Sequence, residues 1–312
     1  SLEQRWLKPF WLKPSLLERG PLRPAANNRW AARAMAEVQA EVVGNVMEQP
    51  PAQVEMEMGE GVMLYQKTSQ CCRCCCCQPN IDWTIHDHSE HWDASMELPI
   101  KMFIKEDAPY CGRCMSHCWP AFRATRYTVH QGQDETGSVL FTHEKPVTCS
   151  HCPLVLYGDN GPVRIPWCCC LPYLETKDAN GQVLGKTKYV CDLKCCVPKY
   201  DVLDKDDNKV YRIRPDTCCI GLCPKCRCGG GSKGKCFRIP FPIRKPEPPF
   251  DPINDAAITD LWAGMKHECC TNREMYAVKF PQDPNQKDPE AMKKVLIGSA
   301  LLVDITLNEQ DQ

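Results

Sequence analysis

The stretch PEAMKKVLIGSALLVDITLN, from Pro289 to Asn308, decides the architecture. Proline suits the first turn of a helix, where its missing N–H has no intrahelical partner to lose. Val295, Leu296, Ile297, Ala300, Leu301, Leu302, Val303, Ile305 and Leu307 are apolar nearly all the way round. A helix with no polar face must be covered on every side. Its apolar run of about a dozen residues is too short to cross a bilayer, which takes about 20, so the cover is protein.

Working back along the chain, the material for that cover is β-structure. Thr128–His130 and Val139–Phe141 flank the turn Asp134-Glu135-Thr136-Gly137, and Leu154–Tyr157 and Val163–Ile165 flank Asp159-Asn160-Gly161. Leu174–Thr176 and the run from Val183 flank Asn180-Gly181, and Tyr200–Leu203 and Val210–Ile213 flank a charged turn. β-Branched and aromatic runs on either side of Asn-Gly or Asp/Gly turns predict antiparallel hairpins, with Asn-Gly suited to a type I′ turn. The fold class is therefore mainly β, a barrel or a sandwich, with one buried helix. Ile239–Asn254, with six prolines, reads as a surface insertion.

The 312 residues carry a formal charge of −1, and no aromatic-basic reader motif is present, so nucleic acid is excluded as a partner. No run reaches the length of a spanning helix, and no leader-like apolar stretch opens the sequence. No nucleophile, base and orienter assemble, and neither Gly-x-Ser-x-Gly nor His-Glu-x-x-His occurs, so an enzyme is not expected. Gly229–Lys235 imitates a phosphate-binding loop but Cys236 stands where a hydroxyl is required. Asp204, Asp206 and Asn208 imitate a calcium loop, yet Lys209 and Pro215 replace its glycine and its bidentate glutamate. A solvated turn is expected there.

The 25 cysteines are clustered rather than spaced. Neighbours within Cys74-Cys75-Cys76-Cys77 and Cys168-Cys169-Cys170 cannot pair with each other without severe strain, so free thiols in a reducing compartment, acyl thioesters or metal are expected. Both runs are lipidation candidates. Cys111 with Cys114, Cys149 with Cys152, and Cys223 with Cys226 and Cys228 have the spacing with which two thiolates grip a structural zinc. His86 and His88 would share one strand face.

Residues 1–50 form a different region. Trp6-Leu7-Lys8-Pro9 recurs as Trp11-Leu12-Lys13-Pro14, an irregular basic arm, and Asn28–Gln49 is an alanine-rich amphipathic helix beginning near Trp30 and stopped by Pro50-Pro51. Trp6, Trp11 and Trp30 are anchor candidates for a membrane surface or a protein partner.

Residues 51–312 are read as one barrel domain, and within them roughly residues 60 to 309 resemble the phospholipid scramblase family. The resemblance lies in Trp262-Ala263-Gly264, Glu268, Thr271, Tyr276, Phe280-Pro281, Lys294–Gly298, Leu302-Val303-Asp304 and Glu309, and upstream in Glu144-Lys145-Pro146 before Cys149-Ser150-His151-Cys152 and in the triple Cys168–Cys170. It implies a tubby-like closed antiparallel β-barrel around the C-terminal helix, preceded by the arm and amphipathic helix. It further implies palmitate on clustered cysteines and calcium-stimulated, ATP-independent movement of phospholipids between leaflets. At the family's calcium segment this chain carries Asn272, Arg273 and Glu274, with Asp283 further on, and the charge of Arg273 argues against calcium there. Two readings follow: a scramblase-like, membrane-associated lipid translocator or lipid binder, and a non-catalytic accessory subunit of a larger membrane complex that keeps the fold. A zinc-stabilised interaction module is a third. Either of the first two sits on a membrane facing a reducing compartment, cytoplasmic or mitochondrial, with phospholipids or complex subunits as partners.

Overall fold

The computed structural model describes residues 58–67, 80–88, 98–109, 123–148, 154–158, 161–165, 171–190, 197–218, 223–224, 239–261 and 274–307. In chain order the strands are β1 (Gly61–Gln66), β2 (Trp83–Asp87), β3 (Ile100–Asp107), β4 (Thr125–Gln131), β5 (Val139–Lys145), β6 (Leu154–Gly158), β7 (Gly161–Ile165), β8 (Tyr173–Asp178) and β9 (Val183–Tyr189). They continue as β10 (Tyr200–Asp204), β11 (Lys209–Ile213), β12 (Thr217–Cys218), β13 (Cys223–Pro224), β14 (Ile239–Arg244), β15 (Pro252–Asp260) and β16 (Met275–Lys279), and α1 (Pro289–Leu307) follows. Twelve of these strands close a barrel in the order β1-β16-β15-β14-β11-β10-β9-β8-β5-β4-β3-β2. Every neighbouring pair is antiparallel, and β1 closes the ring by pairing with β16 on one side and β2 on the other.

All four hairpins expected from the sequence form, as β4–β5, β6–β7, β8–β9 and β10–β11. The β6–β7 pair stands apart from the barrel as its own two-stranded sheet. The Asn180-Gly181 turn is not type I′, because only Gly181 has positive φ (80°). Gly181 N–H donates to Asp178 O (3.0 Å) and Asp178 N–H to Gln182 O (2.9 Å), the pattern of a type I turn closed by a left-handed residue. The β10–β11 turn repeats it with Asp207 at φ 64°. In each turn the leading aspartate, Asp178 or Asp204, accepts two backbone N–H groups through Oδ1. The calcium-loop look-alike is thus a self-capped turn.

The proline-rich segment departs from expectation. Far from a surface insertion, Ile239–Arg244 is barrel strand β14, with Pro240, Phe241 and Ile243 buried. Prolines are tolerated because Pro240 and Pro242 point the same way along the alternating ladder, toward β11, where Pro242 O accepts Arg214 N–H (3.4 Å). On that side pairing is confined to Arg212↔Arg244 and Ile213↔Ile243, so few N–H groups are missed. The full ladder runs on the other side, against β15.

Helix α1 fills the barrel. Asp288 Oδ1 caps its start by accepting Ala291 N–H (3.0 Å). From Val295 to Thr306 every residue is buried, and the core cluster joins α1 to inward residues of the strands, among them Trp83, Ile104, Tyr127, Phe141, Val202, Ile243 and Tyr276. Gly298 is needed for close approach: a Cβ there would lie 2.7 Å from His143 Nδ1 and 2.8 Å from Leu174 Cδ2. No helix among the described residues is long and apolar enough to cross a membrane.

Candidate functional site

A barrel offers two places for chemistry, its lumen and its outer surface, and here the lumen is spent. The polar groups that α1 carries inward meet partners on the wall: Ser299 Oγ with Thr187 Oγ1 (2.7 Å), Thr306 Oγ1 with Tyr200 Oη (2.6 Å), and Asp304 Oδ1 accepting from Tyr276 Oη–H (3.1 Å). Burial, joined at Tyr276 by the Asp304 carboxylate, raises both phenols above the ordinary tyrosine range. His143 is fully buried with Nδ1 against Thr176 Oγ1 (3.0 Å) and Nε2 without a partner. Burial lowers its pKa to about 3, so the ring is neutral. These contacts fix the register of the helix against the wall, and among the described residues the helix and the inward side chains of the strands form one buried apolar cluster.

At the edge of the same core, β3 and the approach to β4 hold a sealed ion pair. Glu106 accepts from Arg123 Nη2 (2.6 Å), from Thr125 Oγ1–H (2.7 Å) and from Ile81 N–H (2.6 Å), while Arg123 O accepts from Lys145 Nζ (2.6 Å). Both members of the pair are at most 1% exposed. On the outside of β4, β5 and β8, Glu144 is held by Arg126 (2.6 Å) and Lys177. Burial pushes the Glu144 carboxyl upward, and hydrogen bonds and charge from Lys177 and Arg126 overcome it, leaving the net shift downward.

An open feature among the described residues is a surface cleft of about 330 Å3 beside β11 and β14. One wall is the segment from Arg214 to Thr217 that continues β11; the other is Arg244 with Pro249 and Phe250 of the β14–β15 turn. Arg244 donates through Nη2 to Asp216 Oδ1 (2.6 Å) and through Nη1 to Phe250 O (3.1 Å). Arg212, bound to Asp201 by Nε (2.7 Å) and Nη2 (3.0 Å), stacks on the Phe250 ring with its Cζ 4.6 Å from the centroid. Among the described residues the Arg214 guanidinium has no acidic or carbonyl partner.

Most of the residues singled out in the sequence lie outside the described ones: Trp6, Trp11, Trp30, Cys74–Cys77, Cys111, Cys114, Cys149, Cys152, Cys168–Cys170, Cys226, Cys228 and Asn272. Of Cys223 only the backbone, in β13, is described. Glu274 and Asp283 are not brought together. They flank opposite ends of β16, whose five residues span roughly 17 Å at about 3.4 Å each. Asp283 Oδ1 is occupied by Asn285 N–H (3.0 Å). His86 is used internally, by Thr84 Oγ1 at Nε2 (2.8 Å) and Leu98 O at Nδ1 (3.0 Å). No group of three metal-ligating side chains occurs among the described residues. Sequence reading missed the cleft, whose walls come from segments some thirty residues apart and carry no motif.

Residues 99–310 match the sequence model of the family described as Scramblase. Human phospholipid scramblase 1 is 26% identical over 208 residues, 66% of this chain and 52% of that one. Mouse phospholipid scramblase 1 is 24% identical over 209 residues (67% and 51%), and human phospholipid scramblase 2 is 25% identical over 211 (67% and 56%). The chain spans about half the length of the curated relatives it matches. No solved structure matches it.

Proposed function

The chain belongs to the scramblase family, and from that premise we propose that it acts on membrane phospholipids, moving them between leaflets without ATP. The observation that carries this is the family match across nearly the whole barrel and its helix. The filled lumen refines it. With α1 packed against wall residues on all sides, an acyl chain has no path through the barrel, so lipid is handled at the outer surface, with the folded domain lying on the membrane. Attachment is supplied by acyl chains on Cys74–Cys77 and Cys168–Cys170, since one chain binds only marginally and two or more hold. The basic, tryptophan-bearing arm of residues 1–50 adds a second contact with an anionic leaflet or a partner subunit. Structural zinc on the Cys-x-x-Cys pairs would stabilise the segments that carry them. Calcium, if it acts, is not chelated by Glu274 and Asp283 together, given their separation along β16.

The test is fluorescent-lipid exposure in liposomes reconstituted with the full acylated chain, with calcium and with a chelator. Protein-dependent loss of leaflet asymmetry supports the reading. A chain that binds liposomes yet leaves asymmetry intact in both conditions supports instead an accessory subunit that keeps the barrel as a scaffold.

A further inference from the structure

We propose that the cleft beside β11 and β14 binds a phosphate group, with the Arg214 guanidinium as its primary donor. The cleft combines three properties that a phosphate site requires. The first is uncommitted positive charge. Its walls hold Arg214, Arg244 and Asp216, and Asp216 is matched by Arg244 (2.6 Å), so Arg214 supplies the unspent charge. A guanidinium presents its donors as a planar fork that grips a phosphate by two oxygens at once.

The second property is a donor that can exchange. Arg244 and Asp216 are partly open, with side chains 18% and 32% exposed. An incoming phosphate can share Arg244 with Asp216 without crossing a buried barrier. Thr217, also on the wall, offers a hydroxyl.

Pre-formation is the third. Phe250 holds φ 59°, a conformation that is a genuine outlier for a bulky side chain and persists only where surroundings enforce it. Phe250 N–H donates to Glu247 O (2.8 Å), its carbonyl takes Arg244 Nη1, and Arg212 covers its ring. All three hold the ring at the cleft as an apolar wall beside the charged one. That pairing suits a phosphate ester, whose anionic head carries a carbon skeleton. Two sources present this chemistry: a soluble phosphate ester and the headgroup of a phospholipid. The headgroup source rests on the lipid-handling reading above, whereas the phosphate chemistry rests on the cleft itself.

The experiment titrates the full chain with glycerol 3-phosphate by calorimetry, and separately floats it with vesicles of phosphatidylcholine alone or mixed with phosphatidic acid. Arg214→Gln should weaken glycerol 3-phosphate binding about tenfold or more, the effect of losing a charge-assisted contact. Asp216→Asn should tighten it, by freeing Arg244. If Asp216→Asn does not fold, Arg214→Gln decides alone, since that guanidinium has no acidic or carbonyl partner among the described residues. Loss of phosphatidic acid vesicle binding in Arg214→Gln identifies the headgroup as the source; loss of glycerol 3-phosphate binding with vesicle binding unchanged identifies the soluble ester. Wild type that binds no glycerol 3-phosphate, or Arg214→Gln that binds it as wild type does, overturns the proposal. Intact phosphate binding with no lipid movement in the liposome assay removes the function proposed above and leaves the site standing.

Discussion

The Glu106–Arg123 and Asp216–Arg244 pairs have the same length, 2.6 Å, and opposite uses. Glu106 and Arg123 are shut inside the edge of the core, and every donor around the carboxylate belongs to the protein. Arg244 and Asp216 stand partly open at the cleft beside Arg214, whose guanidinium has no acidic partner among the described residues. Distance does not separate them; solvent does. Water and ions stand in readily for a lost member of the open pair, whereas at the sealed pair, at most 1% exposed, they are kept out.

The largest expected effect tests the sealed side. Glu106→Gln takes the buried carboxylate charge away from Arg123 and should lower stability by about 3–5 kcal/mol, read as a fall in the urea midpoint. A midpoint within error of wild type would erase the distinction between the pairs. Gly298→Ala probes how tightly the same interior is filled. The new methyl meets His143 and Leu174, and overpacking of about 1–3 kcal/mol, less about 1 kcal/mol gained in helix propensity, should leave a net loss of no more than about 2 kcal/mol. Trimming Leu174 to alanine in the same chain should recover part of the loss, measured as a double-mutant cycle.

Acid should find the interior through His143. Its folded pKa of about 3 lies below the ordinary value of 6.5, so the unfolded chain takes up a proton first. This contribution is complete above pH 6.5 and falls as pH drops toward 3, by at most about 1.4 kcal/mol per pH unit. His143→Gln should flatten the stability profile below pH 6.5, and an unchanged slope would show that other groups carry it. Smallest of all, Asp216→Asn should change stability by no more than about 1 kcal/mol, because its partner is partly solvated. Chemical denaturation that shows a loss as large as that of Glu106→Gln would break the comparison from the other end.

What the sequence made legible follows the range over which its signals act. Turn residues specify hairpins locally, so the four hairpins could be placed, although the leading aspartates, Asp178 and Asp204, steered two of the turns to type I with a left-handed closing residue rather than type I′. The all-round apolar run of α1 could only be a covered helix, and Pro289 and Leu307 bound it in the structure. β14 was illegible because proline normally argues against a ladder, and what rescues Pro240 and Pro242 is the sparse pairing with β11, a tertiary fact. The cleft and the Glu106–Arg123 pair were hidden for a related reason. Glu106 and Arg123 are single residues 17 apart that strand pairing brings into contact, and nothing in their neighbours marks them. The cysteine runs announce themselves in sequence, and both lie outside the described residues.

The placement of α1 after every strand of the wall governs how the molecule is made. A ribosome delivers β1 early and the helix that fills the ring last, and β1 must wait for β16, with Gln66 and Glu274 joined across 208 positions of chain. Closure over so long a loop is slow, because its entropy is lost before any contact rewards it. Until then the inward faces of the strands are wet and adhesive, the condition in which nascent chains call on chaperones. A chain stopped just before Pro289 would therefore hold every strand of the wall around an unfilled ring, with the apolar faces that α1 covers left exposed.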